Sequence, residues 1–132
     1  MLLFSCLIQE MNKTILVCDD DQDILEMIVL VLESYGYNAI GESCSPNLFS
    51  AIANIRPGLV IIDLWMPLMT GDEIVKKLRE SPETEHLPVI IVSACLNGKE
   101  TAANAGANHF ISKPFDIFNL ISRVEQFYAQ AS

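Results

Sequence analysis

The sequence predicts an α/β domain in which helices cover both faces of a five-stranded parallel sheet. Short apolar runs alternate with longer amphipathic segments five times, and the connections between them are short. Repeated strand–helix units with short connections are typical of a doubly wound parallel sheet. The chain has 132 residues, of which 51% are hydrophobic, so it is long enough for one domain with a sizeable core.

The five strands are predicted from apolar runs. The run at residues 59–62 is continuously apolar, as expected for a strand that is covered on both faces. The second strand has the weakest apolar pattern of the five. In chain order, the predicted strands are residues 14–18, 37–41, 59–62, 88–92 and 108–112.

The helices are predicted from apolar residues at three- and four-residue spacing, which is clearest between Ile24 and Tyr35. Asp21 is suited to cap the start of this first helix, and Gly36 to end it. Pro46 suits the first turn of a second helix. The predicted helices are residues 22–35, 46–54, 72–80, 99–105 and 116–129.

Composition argues against several classes of protein. A formal net charge of −9 argues against binding to nucleic acid or to an anionic membrane. No apolar run approaches the roughly 18 residues that a transmembrane helix needs. The four cysteines form no C-x-x-C pair and the two histidines lie far apart, so a zinc site is not expected. Cys18 is predicted to be a small core residue, and a reducing, cytoplasmic location is expected.

Two regions are predicted along the chain. Residues 1–12 form an N-terminal extension of uncertain role, and residues 13–130 form the domain. The apolar stretch at residues 2–8 has no basic region before it and no small-residue cleavage site, so it does not resemble a signal peptide. We expect the extension to pack on an apolar surface of its own or a neighbouring chain.

Polar side chains follow four of the predicted strands. Asp19 and Asp20 follow the first strand, Asp63 the third, Ser93 the fourth and Lys113 the fifth. Ligands of such sheets bind beyond the carboxyl ends of the strands, near the reversal in winding direction. These side chains are therefore expected to share one edge of the sheet.

Their chemistry suits a metal-assisted phosphoryl site. Carboxylates from Asp20 and Asp63 are the oxygen ligands that Mg²⁺ prefers, and a cation relieves the repulsion between them. Lys113 offers a compact positive charge to a phosphoryl oxygen, and Ser93 offers a hydroxyl. An aspartate can itself take the phosphoryl group as an aspartyl phosphate, and such a transfer depends on positioning and charge neutralisation.

Five stretches of the sequence together resemble the receiver domain of bacterial two-component response regulators, in the family's order and spacing from about residue 13 to 129. The resemblance implies a flavodoxin-like sheet with the strand order 2-1-3-4-5. The matching stretches are residues 15–21 (Ile-Leu-Val-Cys-Asp-Asp-Asp), 60–71 (Val-Ile-Ile-Asp-Leu-Trp-Met-Pro-Leu-Met-Thr-Gly), 88–94 (Pro-Val-Ile-Ile-Val-Ser-Ala), 105–108 (Ala-Gly-Ala-Asn) and 110–115 (Phe-Ile-Ser-Lys-Pro-Phe).

The resemblance implies a phosphoacceptor and a metal site. Asp63 would accept a phosphoryl group from a histidine of a kinase or phosphotransfer protein, as in two-component and phosphorelay signalling. Asp19, Asp20 and Asp63 would hold Mg²⁺, with the backbone carbonyl of Trp65. Trp65 and Cys95 occupy the family's variable flanking positions, and because neither readily orients an attacking water we expect a comparatively long-lived phosphoryl state.

The resemblance also implies a switch. Ser93 occupies the family's Ser/Thr switch position and Phe110 its aromatic switch position. Lys113 is the family lysine, and its bond to Pro114 is expected to be cis. Phosphorylation would shift the face formed by the fourth helix, fifth strand and fifth helix. That face would control a downstream effector protein or output domain, or form a homodimer, for which the N-terminal extension is the other candidate surface.

Several alternatives stay open at this level. An aspartate-nucleophile phosphatase would want a carboxylate two residues after Asp63, where Trp65 stands. A flavin-binding domain would want a Ser/Thr/Gly-rich loop after the first strand. A receiver-like module that signals without phosphorylation is the third alternative. The favoured interpretation is a phosphoacceptor signalling domain. Such a domain is not an enzyme in the ordinary sense, because it catalyses only its own phosphorylation and dephosphorylation.

The first helix carries apolar residues beyond its core stripe, including Met27, Val29 and Leu30. One explanation is deeper burial, for example under residues 1–10. The other is a docking surface for the phosphodonor.

Overall fold

The computed structural model of the protein describes residues 12–131, so the predicted extension lies outside the described residues except for Asn12. Strands and helices alternate through the whole of this region. In chain order the elements are β1 (Thr14–Cys18), α1 (Gln22–Ser34), β2 (Asn38–Glu42), α2 (Leu48–Ile55), β3 (Leu59–Asp63), α3 (Gly71–Glu80), β4 (Val89–Ser93), α4 (Gly98–Ala105), β5 (His109–Ser112) and α5 (Ile117–Ala131).

All strand pairs are parallel, and the order in the sheet is β2-β1-β3-β4-β5. The predicted doubly wound fold is therefore confirmed. Strand β1 pairs with both β2 and β3, so the reversal in winding direction lies between β1 and β3. This reversal is where such sheets hold their ligands, and it brings the ends of β1 and β3 side by side.

Each face of the sheet carries its own apolar core. Successive residues of a strand point to opposite faces. Ile15 and Val17 of β1 accordingly face α1 and α5, whereas Leu16 and Cys18 face α2, α3 and α4. All five residues of β3 and of β4 are buried. The carboxyl ends of these two strands are thus held rigidly by packing on both sides.

The predicted helix boundaries agree with the structure within two residues, and the largest difference at a helix start is at the second helix. There a short 3-10 turn, Ser45–Asn47, comes first and the α-helix begins at Leu48. Pro46 lacks the N–H that an α-helix uses beyond its first turn, and 3-10 turns are frequent at helix starts. The second strand begins one residue later than predicted, at Asn38.

The predicted caps of the first helix are present. The Asp21 carboxylate accepts hydrogen bonds from the backbone N–H groups of Asp23 (3.0 Å) and Ile24 (3.2 Å). Gly36 has φ = 93°, a conformation that glycine adopts without a steric penalty. Within residues 12–131, no helix combines the length and apolar character that crossing a membrane requires.

Candidate functional site

Three carboxylates converge where β1 and β3 end. Asp19 and Asp20 directly follow β1, and Asp63 is the last residue of the neighbouring β3. One carboxylate oxygen from each lies within 4.8 Å of the others. Asp19 and Asp63 are buried, with 3% and 8% of their surfaces exposed, and Asp20 is exposed. The site is therefore a half-open acidic pocket with one side facing solvent.

Lys113 reaches this pocket from the end of β5. Its Nζ donates to Asp63 Oδ1 at 3.0 Å and lies 3.4 Å from Asp19 Oδ2. The Lys113 backbone N–H donates to the carbonyl of Ser93 at 2.8 Å, which ties β5 to the end of β4. The Lys113–Pro114 peptide bond is cis, as the resemblance implies.

The charges of the pocket are out of balance. Burial raises the pKa of Asp63; the hydrogen bond from Lys113 opposes this, and the charge of Asp19 raises it further. Burial alone would lower the pKa of Lys113, but its contacts with Asp63 and Asp19 raise it above its ordinary value. Lys113 therefore stays protonated, and one ammonium faces three carboxylates. A further positive charge would relieve the remaining repulsion.

The donor set fits Mg²⁺. The pocket offers carboxylate oxygens, which hard divalent cations prefer, and its exposed side at Asp20 leaves room for the waters that Mg²⁺ retains. Trp65, the predicted carbonyl ligand, lies in the loop after β3, and its side chain is 60% exposed. Its part in a metal site stays a prediction.

The loop between β3 and α3 is folded tightly against the end of β3. The Gly71 N–H donates to the carbonyl of Leu64 at 2.8 Å, and a Cβ on Gly71 would lie only 2.6 Å from the carbonyl oxygen of Asp63. The buried Ser45 hydroxyl donates to the carbonyl of Pro67 at 3.0 Å. These contacts hold the backbone of Asp63 in place. Sequence reasoning missed Ser45 because a serine before a proline carries no signal of a distant partner.

Ser93 and Phe110 are neighbours beside the pocket. The Ser93 hydroxyl is buried and accepts the Cys95 N–H at 3.0 Å. Phe110 is half-buried and packs against the core under α4. A Cβ on Gly98, the first residue of α4, would lie 3.0 Å from both the Phe110 ring and Ser93 Cβ. Gly98 therefore permits this close approach, and the sequence signalled it only as a glycine at a helix start.

Cys18 is 1% exposed and contacts Met66 across the end of β1, with 3.6 Å between the two sulfurs. Burial, and then the charge of Glu42, raise the pKa of its thiol to about 12. The prediction that Cys18 is a core residue is confirmed.

The apolar side chains on α1 divide into two groups. Val29 is half-buried against the core, whereas Met27 and Leu30 are 41% and 66% exposed. Within residues 12–131 the deeper-burial explanation therefore holds only for Val29. Residues 1–10, which could cover the other two, lie outside the described residues.

Comparison with known proteins identifies a family and several relatives. The model of the response regulator receiver domain family matches residues 15–125. The chain is 30% identical over 118 residues to the phosphate regulon transcriptional regulatory protein PhoB of Pseudomonas aeruginosa, covering 86% of this chain and 51% of the relative. It is 35% identical over 117 residues to the response regulator GtcR of Aneurinibacillus migulanus, covering 87% and 47%. The chain thus spans about half the length of these curated relatives.

Solved structures agree with the fold. A response regulator from Chloroflexus aurantiacus superposes with a TM-score of 0.84 at 30% identity, covering 90% of this chain and 99% of that one. The receiver domain of the Francisella response regulator 1452 superposes with a TM-score of 0.83 at 29% identity, covering 92% and 100%.

Proposed function

Because the chain belongs to the response regulator receiver domain family, we propose that Asp63 accepts a phosphoryl group from a histidine of a kinase or phosphotransfer protein. Receiver domains are signalling domains of two-component systems, and phosphorylation on an aspartate with Mg²⁺ is general to them. One observation carries the assignment to this residue. Asp63 ends a buried strand, contacts Lys113 at 3.0 Å, and shares the acidic pocket with Asp19 and Asp20.

In the transfer, a carboxylate oxygen of Asp63 forms a bond to phosphorus as the bond from phosphorus to the donor's imidazole nitrogen breaks. The electron pair of that bond stays with the imidazole. Asp63 acts as the nucleophile, and Lys113 is placed to offset the negative charge of the phosphoryl oxygens. The domain contributes position and charge, which are the main requirements of phosphoryl transfer.

Asp19, Asp20, Asp63 and the backbone carbonyl of Trp65 would hold the Mg²⁺. When bound, the cation neutralises the charge that three carboxylates and an incoming phosphoryl group bring together. Lys113 supplies the second positive charge of the pocket.

Phosphorylation adds about −1.5 to −2 units of charge, and the new oxygens attract hydroxyl and ammonium groups. Ser93 is the nearby hydroxyl, and its movement towards the phosphoryl group would free space for Phe110, which packs beside it at Gly98. The domain would thereby shift between two states of the face formed by α4, β5 and α5. A downstream effector protein or output domain would read that face.

The donor would dock beside the pocket. Trp65 and Leu68 of the loop after β3 are 60% and 83% exposed, and Met27 and Leu30 of α1 are exposed as well. Large exposed apolar side chains around a charged pocket are suited to a transient protein contact. Met27→Glu should slow phosphotransfer from a donor protein and leave phosphorylation by a small donor unchanged. Equal slowing with both donors would contradict a docking role.

The functional unit is proposed to be residues 13–130, in the cytoplasm. The described cysteines Cys18, Cys44 and Cys95 are free thiols, which fits a reducing compartment. The phosphatase alternative has little support, because Trp65 offers no acid–base group where that mechanism wants a carboxylate. The domain would catalyse only its own phosphorylation and dephosphorylation.

The test is incubation with acetyl phosphate and Mg²⁺, followed by intact mass measurement. The wild type should gain the mass of one phosphoryl group, and Asp63→Asn should gain none. Glu33→Gln, which removes an exposed carboxylate of α1 outside the pocket, is the matched control and should behave as the wild type. A wild type that gains no phosphoryl group, or an Asp63→Asn variant that still does, would overturn the proposal.

A further inference from the structure

A cleft between α4 and α5 runs along the edge strand β5. Its main part has a volume of about 790 Å³ and begins beside Ser93 and Lys113. A smaller hollow of about 220 Å³ continues it towards Asn108. Lys99 of α4, Phe110 of β5 and Arg123 of α5 line both parts, so the two form one continuous surface.

This cleft has a charge opposite to that of the chain as a whole. The sequence has 17 acidic residues against 8 Lys and Arg. The described residues that line the two hollows nevertheless include no Asp or Glu. Lys99 and Arg123 are exposed and form no ion pair within residues 12–131, whereas Lys113 is engaged by Asp63 and Asp19. Two free cations therefore stand on opposite rims of the cleft.

The carboxylates on α4 and α5 either point away from the cleft or accept a hydrogen bond from the backbone. Asp116 accepts the Asn119 N–H at 2.7 Å at the start of α5. Burial, and then the charge of Glu125, raise the pKa of the Tyr37 phenol, so Glu125 lies near Tyr37, which is not among the residues that line the cleft. Glu100 follows Lys99 along α4 and therefore points about 100° around the helix from it.

The remaining lining suits an extended polypeptide. Asn119, Ser122 and Gln126 of α5 offer neutral hydrogen-bonding groups, and alanines of α4 form an apolar floor in the smaller hollow. Strand β5 pairs only with β4 among the described strands, so its outer edge is not covered by a sixth strand of residues 12–131. The exposed edge of a sheet is a common binding place for extended segments.

We propose that this cleft binds an acidic, extended segment of a partner protein, anchored by Lys99 and Arg123. A twofold homodimer through this face would join two copies of the same patch, which among the described residues is lined by cations and by no carboxylate, so neither copy would offer an acidic partner to the other's Lys99 and Arg123. The charge pattern therefore favours a different, acidic partner over the homodimer that the sequence suggested for this face. Nucleic acid is disfavoured as the occupant by the overall charge of −9.

The cleft also touches the proposed switch, because Ser93 and Phe110 line it. Phosphorylation would therefore change affinity for the acidic segment, and this link alone rests on the proposed function. The charge pattern and the preference for an acidic partner do not depend on it.

The test measures fluorescence anisotropy of a labelled peptide of alternating Glu and Leu, with a Gln and Leu peptide as its neutral counterpart. The wild type should bind the acidic peptide more tightly, and added salt should weaken the binding. Arg123→Glu and Lys99→Glu should each weaken it by about tenfold, since each turns an attraction into a repulsion. Lys76→Glu, on the exposed side of α3 outside the cleft, is the matched control. It should change the logarithm of the peptide Kd by less than half as much as either cleft variant does.

Equal binding of the two peptides, or an equal loss with Lys76→Glu, would overturn the proposal. So would displacement of the acidic peptide by duplex DNA at the same concentration, or a wild-type dimer in sedimentation that Arg123→Glu abolishes. Phosphoryl uptake is measured on the same samples. If the protein prefers the acidic peptide but takes up no phosphoryl group, the proposed function is contradicted and the proposal for the cleft is supported. If it takes up the phosphoryl group but does not prefer the acidic peptide, only the proposal for the cleft is contradicted.

Discussion

Replacing Leu68 by glycine should stabilise the protein, although the change deletes a large apolar side chain. Leu68 lies in the loop after the acceptor strand with φ = 74°, a left-handed conformation that side chains with a Cβ adopt at a cost. Its side chain is 83% exposed, so it contributes little burial. The variant therefore relieves backbone strain and loses few contacts.

The magnitude follows from three terms. The left-handed conformation costs leucine about 1–2 kcal/mol, which glycine avoids. Glycine makes the unfolded chain more flexible, which costs about 0.4–1 kcal/mol. The small buried part of Leu68 is worth less than about 0.5 kcal/mol, given that full burial of leucine is worth about 1.5–3 kcal/mol. The net expectation is a gain of about 0.5 kcal/mol in the free energy of unfolding.

The assay is urea denaturation followed by circular dichroism, with Leu96→Gly as the matched control. Leu96 is equally a loop leucine, is fully exposed at 102%, and is not among the described residues with positive φ. Leu96→Gly has no strain to relieve and should lose about 0.4–1 kcal/mol. The two variants should thus differ by about 1–2 kcal/mol. Equal destabilisation by both changes would refute the reasoning.

Three further predictions concern the site and the domain. Asp63→Asn should raise the free energy of unfolding in the absence of Mg²⁺, because burial and the charge of Asp19 disfavour the ionised Asp63 more than Lys113 stabilises it. Asp63→Asn should also abolish the stabilisation that Mg²⁺ confers on the wild type, which is about 2.7 kcal/mol at a hundredfold excess over Kd. A variant that Mg²⁺ stabilises as much as the wild type would contradict a role of Asp63 in binding the cation. Trp65→Asn should shorten the phosphoryl lifetime followed by mass spectrometry, since an amide two residues after the acceptor can orient water; an unchanged lifetime would count against that role. Burial raises the pKa of Tyr128 to about 12. The unfolded state, with a phenol pKa of about 10, then loses its proton first, so stability should fall as pH rises from about 10 to about 12. Tyr128→Phe should reduce that loss of stability at alkaline pH. At neutral pH it should lower the free energy of unfolding by about 1 kcal/mol, because the hydrogen bond from the Tyr128 hydroxyl to the Asn12 carbonyl is lost. A variant whose stability falls as steeply at alkaline pH as that of the wild type would exclude Tyr128 as the cause.

The fold was predictable from local patterns because those patterns agree with one another. The short apolar runs at β3 and β4 favour strands covered on both faces, and Asp21 and Gly36 mark the ends of α1 through short-range chemistry. The start of α2 was less predictable. Pro46 is compatible with both a 3-10 and an α-helical first turn, and tertiary packing decides between them.

The convergence of the site residues was also predictable, since residues after parallel strands meet at one edge. The contacts that shape the site were not. The Ser45 bond to Pro67, and the close approach of Gly98 to Phe110, join residues far apart in sequence and depend on loop conformations. The asymmetry of the acidic pair, with Asp19 buried against Lys113 and Asp20 exposed, likewise depends on how the loop after β1 turns.

The most direct test of the central claim is to identify the phosphorylated residue itself. The protein is phosphorylated with acetyl phosphate and Mg²⁺ and then treated with borohydride, which reduces an aspartyl phosphate to homoserine. Peptide mass spectrometry should find homoserine at position 63 and aspartate at positions 19 and 20. Homoserine at position 19 or 20, or none at position 63, would contradict the assignment of Asp63 as the phosphoacceptor.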